Sequence, residues 1–206
     1  MSDATTRNKR QEQGDQSREE ILEAATRLMA ARGFDGTSIS ALAKESGLPS
    51  SSIYWHFGSK EGLLLAVMER GAAHFVQLTS PADMPQTASR IEKLDWVLQR
   101  AVRIIEEAPD FLRLQTILLL STPAGGANDA LLRLRRQQRE GLRDALALCF
   151  ADPGQPPATE IADRLVDFAG ATFEGSFLAA QGGSVAHSDI MAKLTDVLIR
   201  MAQEEE

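Results

Sequence analysis

The sequence predicts an all-α protein of about nine helices: three small ones, a long connector and a bundle. Three observations carry that reading. Apolar residues recur three or four apart through most of the chain, which is the spacing of one buried helix face. The composition is rich in Ala, Leu, Arg and Glu, with 5% aromatics and few β-branched runs, and this favours helix over sheet. Clusters of Gly, Pro and Ser separate the periodic blocks.

Residues 1–16 are polar and without periodicity, and read as a flexible arm carrying Arg7, Lys9 and Arg10. Ser17 and Glu20 have the spacing of a capping box, and Ile21, Ala25, Leu28 and Met29 follow as an apolar face that ends at Gly33. Thr37 and Ser38 are placed as hydroxyl N-caps of a second helix. Its Ile39, Leu42, Ala43 and Ser46 fall at i, i+3, i+4 and i+7, and Gly47 stands where the chain must turn. Pro49 suits the first position of a third helix, because its missing N–H has no intrahelical partner there. That helix directs Ile53 and Phe57 to the core and leaves Ser50, Ser51, Ser52, Tyr54 and Trp55 or His56 for other faces. Two helices this short, joined by a turn this tight, form the helix-turn-helix, whose second helix enters the DNA major groove.

Ser59 caps a helix that opens with Lys60-Glu61 and runs through Leu64, Val67 and Met68 toward Val76. The cluster from Thr79 to Pro85 breaks it. Residues 87–107 place Ile91, Leu94, Leu98, Val102 and Ile105 on one stripe. Residues 109–121 are apolar almost all round, as in a buried central helix. Pro123 to Asn128 reads as a loop, residues 129–150 resume with an Arg-rich face, and DPGQPPAT breaks the chain again. Two more helices follow, about 159–181 and 187–203, separated by GGSVAHS. The expected division is an arm over 1–16, a helix-turn-helix domain over 17–65, and a helical ligand-binding and dimerisation domain over 66–206.

From about Ser17 to Met68 the chain resembles the N-terminal DNA-binding domain of the TetR (tetracycline repressor) family of bacterial transcription regulators. The residues that carry the likeness are EEILEAATRLMAARGF, GTSISALAKESGLP and, above all, IYWHFGSKEGLL. The resemblance implies that the Tyr54 hydroxyl donates to a backbone phosphate, that Lys60 adds charge at a helix N-terminus, and that His56 lies beside the DNA backbone. Thr37 or Ser38 would meet a phosphate at the start of the preceding helix. Ser40, Ser50, Ser51, Ser52 and Trp55 would face the groove. Trp55 could instead belong to the core, but Ile53 and Phe57 already supply the inward pair. Where many relatives carry Lys or Arg near Ser50, this chain has hydroxyls, which read base edges ambiguously. Recognition is therefore expected to lean on phosphate clamping and DNA shape.

The net charge of −7 argues against nucleic acid, but its distribution does not. Residues 1–60 hold 8 Lys/Arg and 8 Asp/Glu, leaving the 14 and 21 of residues 61–206 to supply the whole excess. A reader with one short recognition helix needs a second copy for specific affinity. The expected dimer seam is a four-helix bundle made from the last two helices of each subunit. Its stripes are Ile161, Leu165, Phe168, Thr172, Gly175 and Ala179 on one helix, and Ile190, Leu194, Val197 and Met201 on the other.

The resemblance also implies a small-molecule ligand enclosed by the intervening helices. Trp96, Phe111, Gln115, Leu118, Leu119, Phe173 and Phe177 are the expected wall residues, with Arg100 or Arg103 as anion partners. Binding there would shift the spacing of the paired recognition helices and release a palindromic operator. The alternative is a TetR-like protein controlled by a protein partner or by no effector. An enzyme is disfavoured, since His56, His74 and His187 are scattered and match no metal or catalytic pattern, and no cofactor is expected. No apolar run reaches the ~18–20 residues of a membrane span. The polar start is unlike a secretory signal, and the single Cys149 suits a reducing cytoplasm.

Overall fold

The computed structural model describes residues 2–85, 87–121, 127–183 and 185–203, with the side chains of 2–10, 78, 79 and 127 outside that description. Among the described residues there are nine α-helices and no strand. They are α1 (Ser2–Arg32), α2 (Ile39–Ser46), α3 (Ser50–Phe57), α4 (Lys60–Thr79), α5 (Arg90–Glu107), α6 (Pro109–Leu120), α7 (Ala127–Phe150), α8 (Thr159–Gln181) and α9 (His187–Gln203), with a 3-10 turn at Pro81–Asp83. The chain divides into two compact units. The first comprises Met1–Ala72 and Pro109–Leu134, the second Ala73–Ala108 and Arg135–Glu206.

In the first unit, α1 is helical from Ser2, where the sequence reads as an arm to residue 16. No proline interrupts this stretch, and its Gln, Glu and Arg residues are good helix formers. Gln16 Nε2 donates to Glu20 Oε1 at 3.0 Å, so the turn that the sequence assigns to a cap is ordinary helix. Arg7, Lys9 and Arg10 lie among the side chains outside the description. Ile21, Leu22, Ala25 and Met29 are fully buried, and Leu42, Ile53, Leu63 and Leu64 join the same core.

Helix α6 packs on α1, which is why the compact unit includes α6 and the start of α7 instead of closing near residue 65. Chain order hides that contact, because α6 is remote in sequence. Phe111, Leu112, Leu114 and Leu118 of α6 are buried, but Leu119 and Leu120 are exposed, so α6 is two-faced and not the all-round buried helix expected. Gly71 of α4 sits against Phe111, where an added Cβ would come within 2.1 Å of a ring carbon. Gly71→Ala is therefore expected to destabilise the chain by about 1–3 kcal/mol. In a Phe111→Leu background the same change should cost clearly less, as denaturant melts would read.

The second unit is built on Leu94, Leu98, Leu146, Phe150, Leu165, Val166, Leu194 and Leu198. Ser89 and Glu92 form a capping box at the start of α5. Thr195 Oγ1 of α9 donates to Asp95 Oδ1 of α5 at 2.6 Å, satisfying a hydroxyl that is 5% exposed. Cys149 is wholly buried, and desolvation pushes its thiol up to about 12, so it remains a protonated core side chain. The loop expected over Pro123 to Asn128 lies outside the described residues as far as residue 126, as does Ser184 of the GGSVAHS connector.

An ion-pair ladder joins α7 to α8. Arg135 meets Glu174 at 2.8 Å, Arg139 meets Asp167 at 2.7 Å, and Arg143 pairs with Asp163. Hydrogen bonds from Arg143 and Arg139 hold the Asp163 and Asp167 carboxyls below their ordinary range. A depressed native pKa means stability that is present above the unfolded value of about 3.9 and lost as pH falls through the native one. Thermal melts should accordingly show a loss of stability below about pH 4. Asp163→Asn with Asp167→Asn should flatten that loss, and high salt should blunt it, because the pairs are exposed.

Candidate nucleic-acid interface

Local chemistry sets the positions of α2 and α3. The Ser38 hydroxyl caps α2 by accepting from Ala41 N at 3.1 Å, and Gly47 ends α2 at φ 72°. Gly58 ends α3 at φ 73°, so both turns around α3 use a backbone conformation that side-chain-bearing residues avoid. Pro49 is the N-cap of α3, one position earlier than the sequence reading placed it, and no side chain caps the helix. Ser50, Ser51 and Ser52 are therefore not consumed as caps. Ile53 is fully buried against the α1 core, which turns the opposite face of α3 outward.

On that face Tyr54 is 52% exposed and Trp55 is 77% exposed, so Trp55 is not a core residue. Ser51 is exposed as well, and Ser50, Ser52 and His56 are half-buried. Ser40 is exposed on α2, its hydroxyl 3.0 Å from that of Ser38. Thr37 departs from expectation. It is fully buried and donates its hydroxyl to Gly33 O at 2.8 Å, which removes it from any surface and leaves the cap to Ser38.

At the start of α4, Lys60 Nζ lies 4.2 Å from the centre of the Phe34 ring, so its charge is held beside the helix N-terminus. The Ser59 hydroxyl accepts from Gly62 N at 3.1 Å. Glu61 accepts from its own backbone N–H and from Ser59, and both hold its carboxyl below the ordinary range. The N-terminus of α4 is thus partly satisfied from within the chain, and Lys60 is the group left to attract an anion. His56 Nε2 is 3.0 Å from the Ser17 hydroxyl of α1, a link between residues 39 apart that no local pattern reveals. Burial lowers the His56 pKa first, Arg18 lowers it further, and Asp15 opposes them.

A family profile described as bacterial regulatory proteins of the tetR family matches residues 21–67, the span from the α1 core to the middle of α4. This segment belongs with the DNA-binding domains of the TetR family. The HTH-type transcriptional repressor AcnR of Corynebacterium glutamicum is 33% identical over 88 residues, which make up 41% of this chain and 47% of AcnR. The chain spans about half the length or less of the curated relatives it matches first.

Among solved structures, FadR of Bacillus subtilis in complex with stearoyl-CoA superposes with a TM-score of 0.67 at 16% identity, covering 91% of this chain and 98% of FadR. AibR in complex with isovaleryl coenzyme A and operator DNA gives 0.60 at 22% identity, covering 88% and 97%. At these identities the likeness is one of fold, and it covers about nine-tenths of the chain.

The expected dimer stripes are only partly on the surface. Leu165 and Leu194 are buried in the second unit's own core, and Ile161, Ile190 and Met201 pack against it. The a/d-like spacing that singled them out is that of the internal seam. The outward stripe is offset around α8: Phe168 is 42% exposed, Thr172 and Ala179 are half-buried, and Gly175 faces open space. Leu178, 51% exposed, belongs to it and was missed, although i+3 from Gly175 would have found it. Val197 is the exposed member on α9.

The expected wall residues divide between the units. Phe111, Gln115 and Leu118 are buried in the first, whereas Leu119 is exposed and does not belong to a wall there. Gln115 Nε2 is buried without a hydrogen-bond partner. In the second unit Phe177 is buried, Phe173 packs on the core, and Arg100 lies 4.5 Å above the Trp96 ring while donating to Gln77 O. Arg103 is exposed and paired with Glu107 at 3.2 Å, so it is already neutralised. An open cleft of about 620 Å³ lies elsewhere in this unit, between Ile91, Phe150, Pro156, Ile161 and Ile199, and takes in none of the expected walls. Among the described residues no helix is long and apolar enough to cross a membrane, and no cluster of His, Cys, Asp and Glu could hold a metal.

Proposed function

We propose that this chain is a DNA-binding transcriptional regulator of the TetR family. In this reading it acts as a homodimeric repressor at a palindromic operator, and a small-molecule ligand releases it. The observation that carries the proposal is the outward face of α3, where an aromatic hydroxyl, an exposed indole and serine hydroxyls surround one buried anchor, Ile53. Tyr54 and Lys60 would hold phosphates, with Ser38 at the start of α2. Ser40, Ser50, Ser51, Ser52 and Trp55 would face the groove, and His56 would lie beside the backbone. Phe168, Thr172, Gly175, Leu178, Ala179 and Val197 would form the seam between copies.

The ligand part of the proposal draws support from Gln115. A buried amide donor left unpaired costs about 1–3 kcal/mol, and a ligand oxygen would recover that. Phe111 and Leu118, in the same unit as Gln115, remain candidate contacts, and the solved structures of like fold named with acyl-coenzyme A fit an apolar ligand with polar acceptors. The direct test is a mobility-shift titration with duplex from the region flanking the chain's own gene. Retardation that survives competition by unrelated duplex supports the proposal, and binding no tighter than to unrelated duplex contradicts it.

A further inference from the structure

The Ser17–His56 contact joins the long first helix to the helix that would enter the groove, and its proton count is constrained. A serine hydroxyl has one proton. Ser17 Oγ lies 2.9 Å from Gly14 O and 3.0 Å from His56 Nε2. The carbonyl can only accept, so the hydroxyl proton goes to Gly14 and its lone pair faces the ring. Both contacts are satisfied together when His56 Nε2 carries a hydrogen and donates to Ser17. The other ring nitrogen, Nδ1, is then a bare acceptor.

A bare acceptor cannot hydrogen-bond a phosphate oxygen, which is also an acceptor. We infer that Ser17 is a positioning residue for the DNA face: it holds the His56 ring by Nε2–H, so that His56 can meet a phosphate only by binding a proton at Nδ1, and duplex binding takes up that proton. This rests on the DNA-binding reading above. The free ring is poised for such uptake. Burial first and then Arg18 of α1 favour the neutral ring, with Asp15 of α1 opposing them, while Trp55 and Phe57 on its own helix contribute uncharged rings. A phosphate beside Nδ1 would favour the charged form.

Two measurements test the inference. In the free protein, ring ¹⁵N chemical shifts should show neutral His56 as the Nε2–H tautomer in the wild type and in Ser17→Thr. Observation of the Nδ1–H form would overturn it. The second is fluorescence anisotropy at constant ionic strength, using labelled duplex from the region flanking the gene. Wild-type affinity should rise as pH falls from 8 to 6, by up to about tenfold per pH unit for each proton taken up.

His56→Gln should remove that slope. Ser17→Ala should flatten it too, because the released ring can turn its Nε2–H to the phosphate without binding a proton, whereas Ser17→Thr should keep it. A flat wild-type slope with duplex bound, or a Ser17→Ala slope equal to the wild type, overturns the coupling. If no duplex binds at any pH, the DNA-binding reading fails and takes the coupling with it. The tautomer measurement then still decides whether Ser17 places the ring.

Discussion

Phe168→Glu is expected to leave the chain folded but monomeric, and to weaken its grip on a palindromic duplex by about 10²–10⁴-fold. Phe168 is large and apolar, yet 42% exposed, and it lies on one stripe of α8 with Leu178 and the open position of Gly175. None of these is needed by the core, which is filled by Leu165, Val166 and Ala169 one face away. A carboxylate at position 168 therefore stays solvated in the monomer, with little effect on folding. Across a two-fold seam it would face its own copy or an apolar surface, and burying it unpaired is costly. A monomer then reaches only one half-site and loses the effective concentration that the second recognition helix provides. Sedimentation would report the mass, circular dichroism the helicity, and anisotropy the affinity. A monomeric variant that binds as tightly as wild type would contradict the account, and so would one that remains dimeric.

Tyr54→Phe and Lys60→Ala should each weaken duplex binding by about 1.5–3 kcal/mol, because in the proposed complex each would lose a hydrogen bond to a charged phosphate. Tyr54 is half exposed on α3, and Lys60 is held over Phe34 beside the N-terminus of α4, so neither change empties the core. The loss should be similar across operator and unrelated sequences, since phosphates carry no sequence information. Lys60→Ala should also lower the slope of log K against log salt by about 1 for each Lys60 engaged, whereas Tyr54→Phe should leave it nearly unchanged. With serines at positions 50–52, a steep salt slope is expected for the wild type. A slope near zero would show that phosphate clamping is not its main grip.

The helix-turn-helix was legible because its signals are local. The hydroxyl cap at Ser38, the turn glycine at Gly47, and the buried Leu42 and Ile53 are set by neighbours a few residues away. Long-range facts were not legible. That α6 packs on α1 cannot be read from two amphipathic patterns some ninety residues apart, and the compact units diverge from the sequence division for that reason. Thr37 illustrates a subtler limit. It looks like a cap by type and place, but its hydroxyl satisfies Gly33 O inside the turn, and only Ser38 is free to cap.

The α8 stripe erred by about one face of the helix. An apolar residue that packs inward and one that awaits a partner are the same letter, and exposure separates Leu165 from Phe168. The N-terminal segment differs in the opposite sense, since its polarity suggests absence of structure whereas its residues have good helix propensity.

In the proposed complex two copies of the chain, paired through their α8 and α9 faces, grip one duplex together. Light scattering on the complex with the palindromic duplex flanking the gene, at low salt and saturating protein, tests it most directly. Two protomers per duplex, or a whole number of such pairs, are expected, with no stable one-to-one species. A saturated complex holding a single protomer would contradict it.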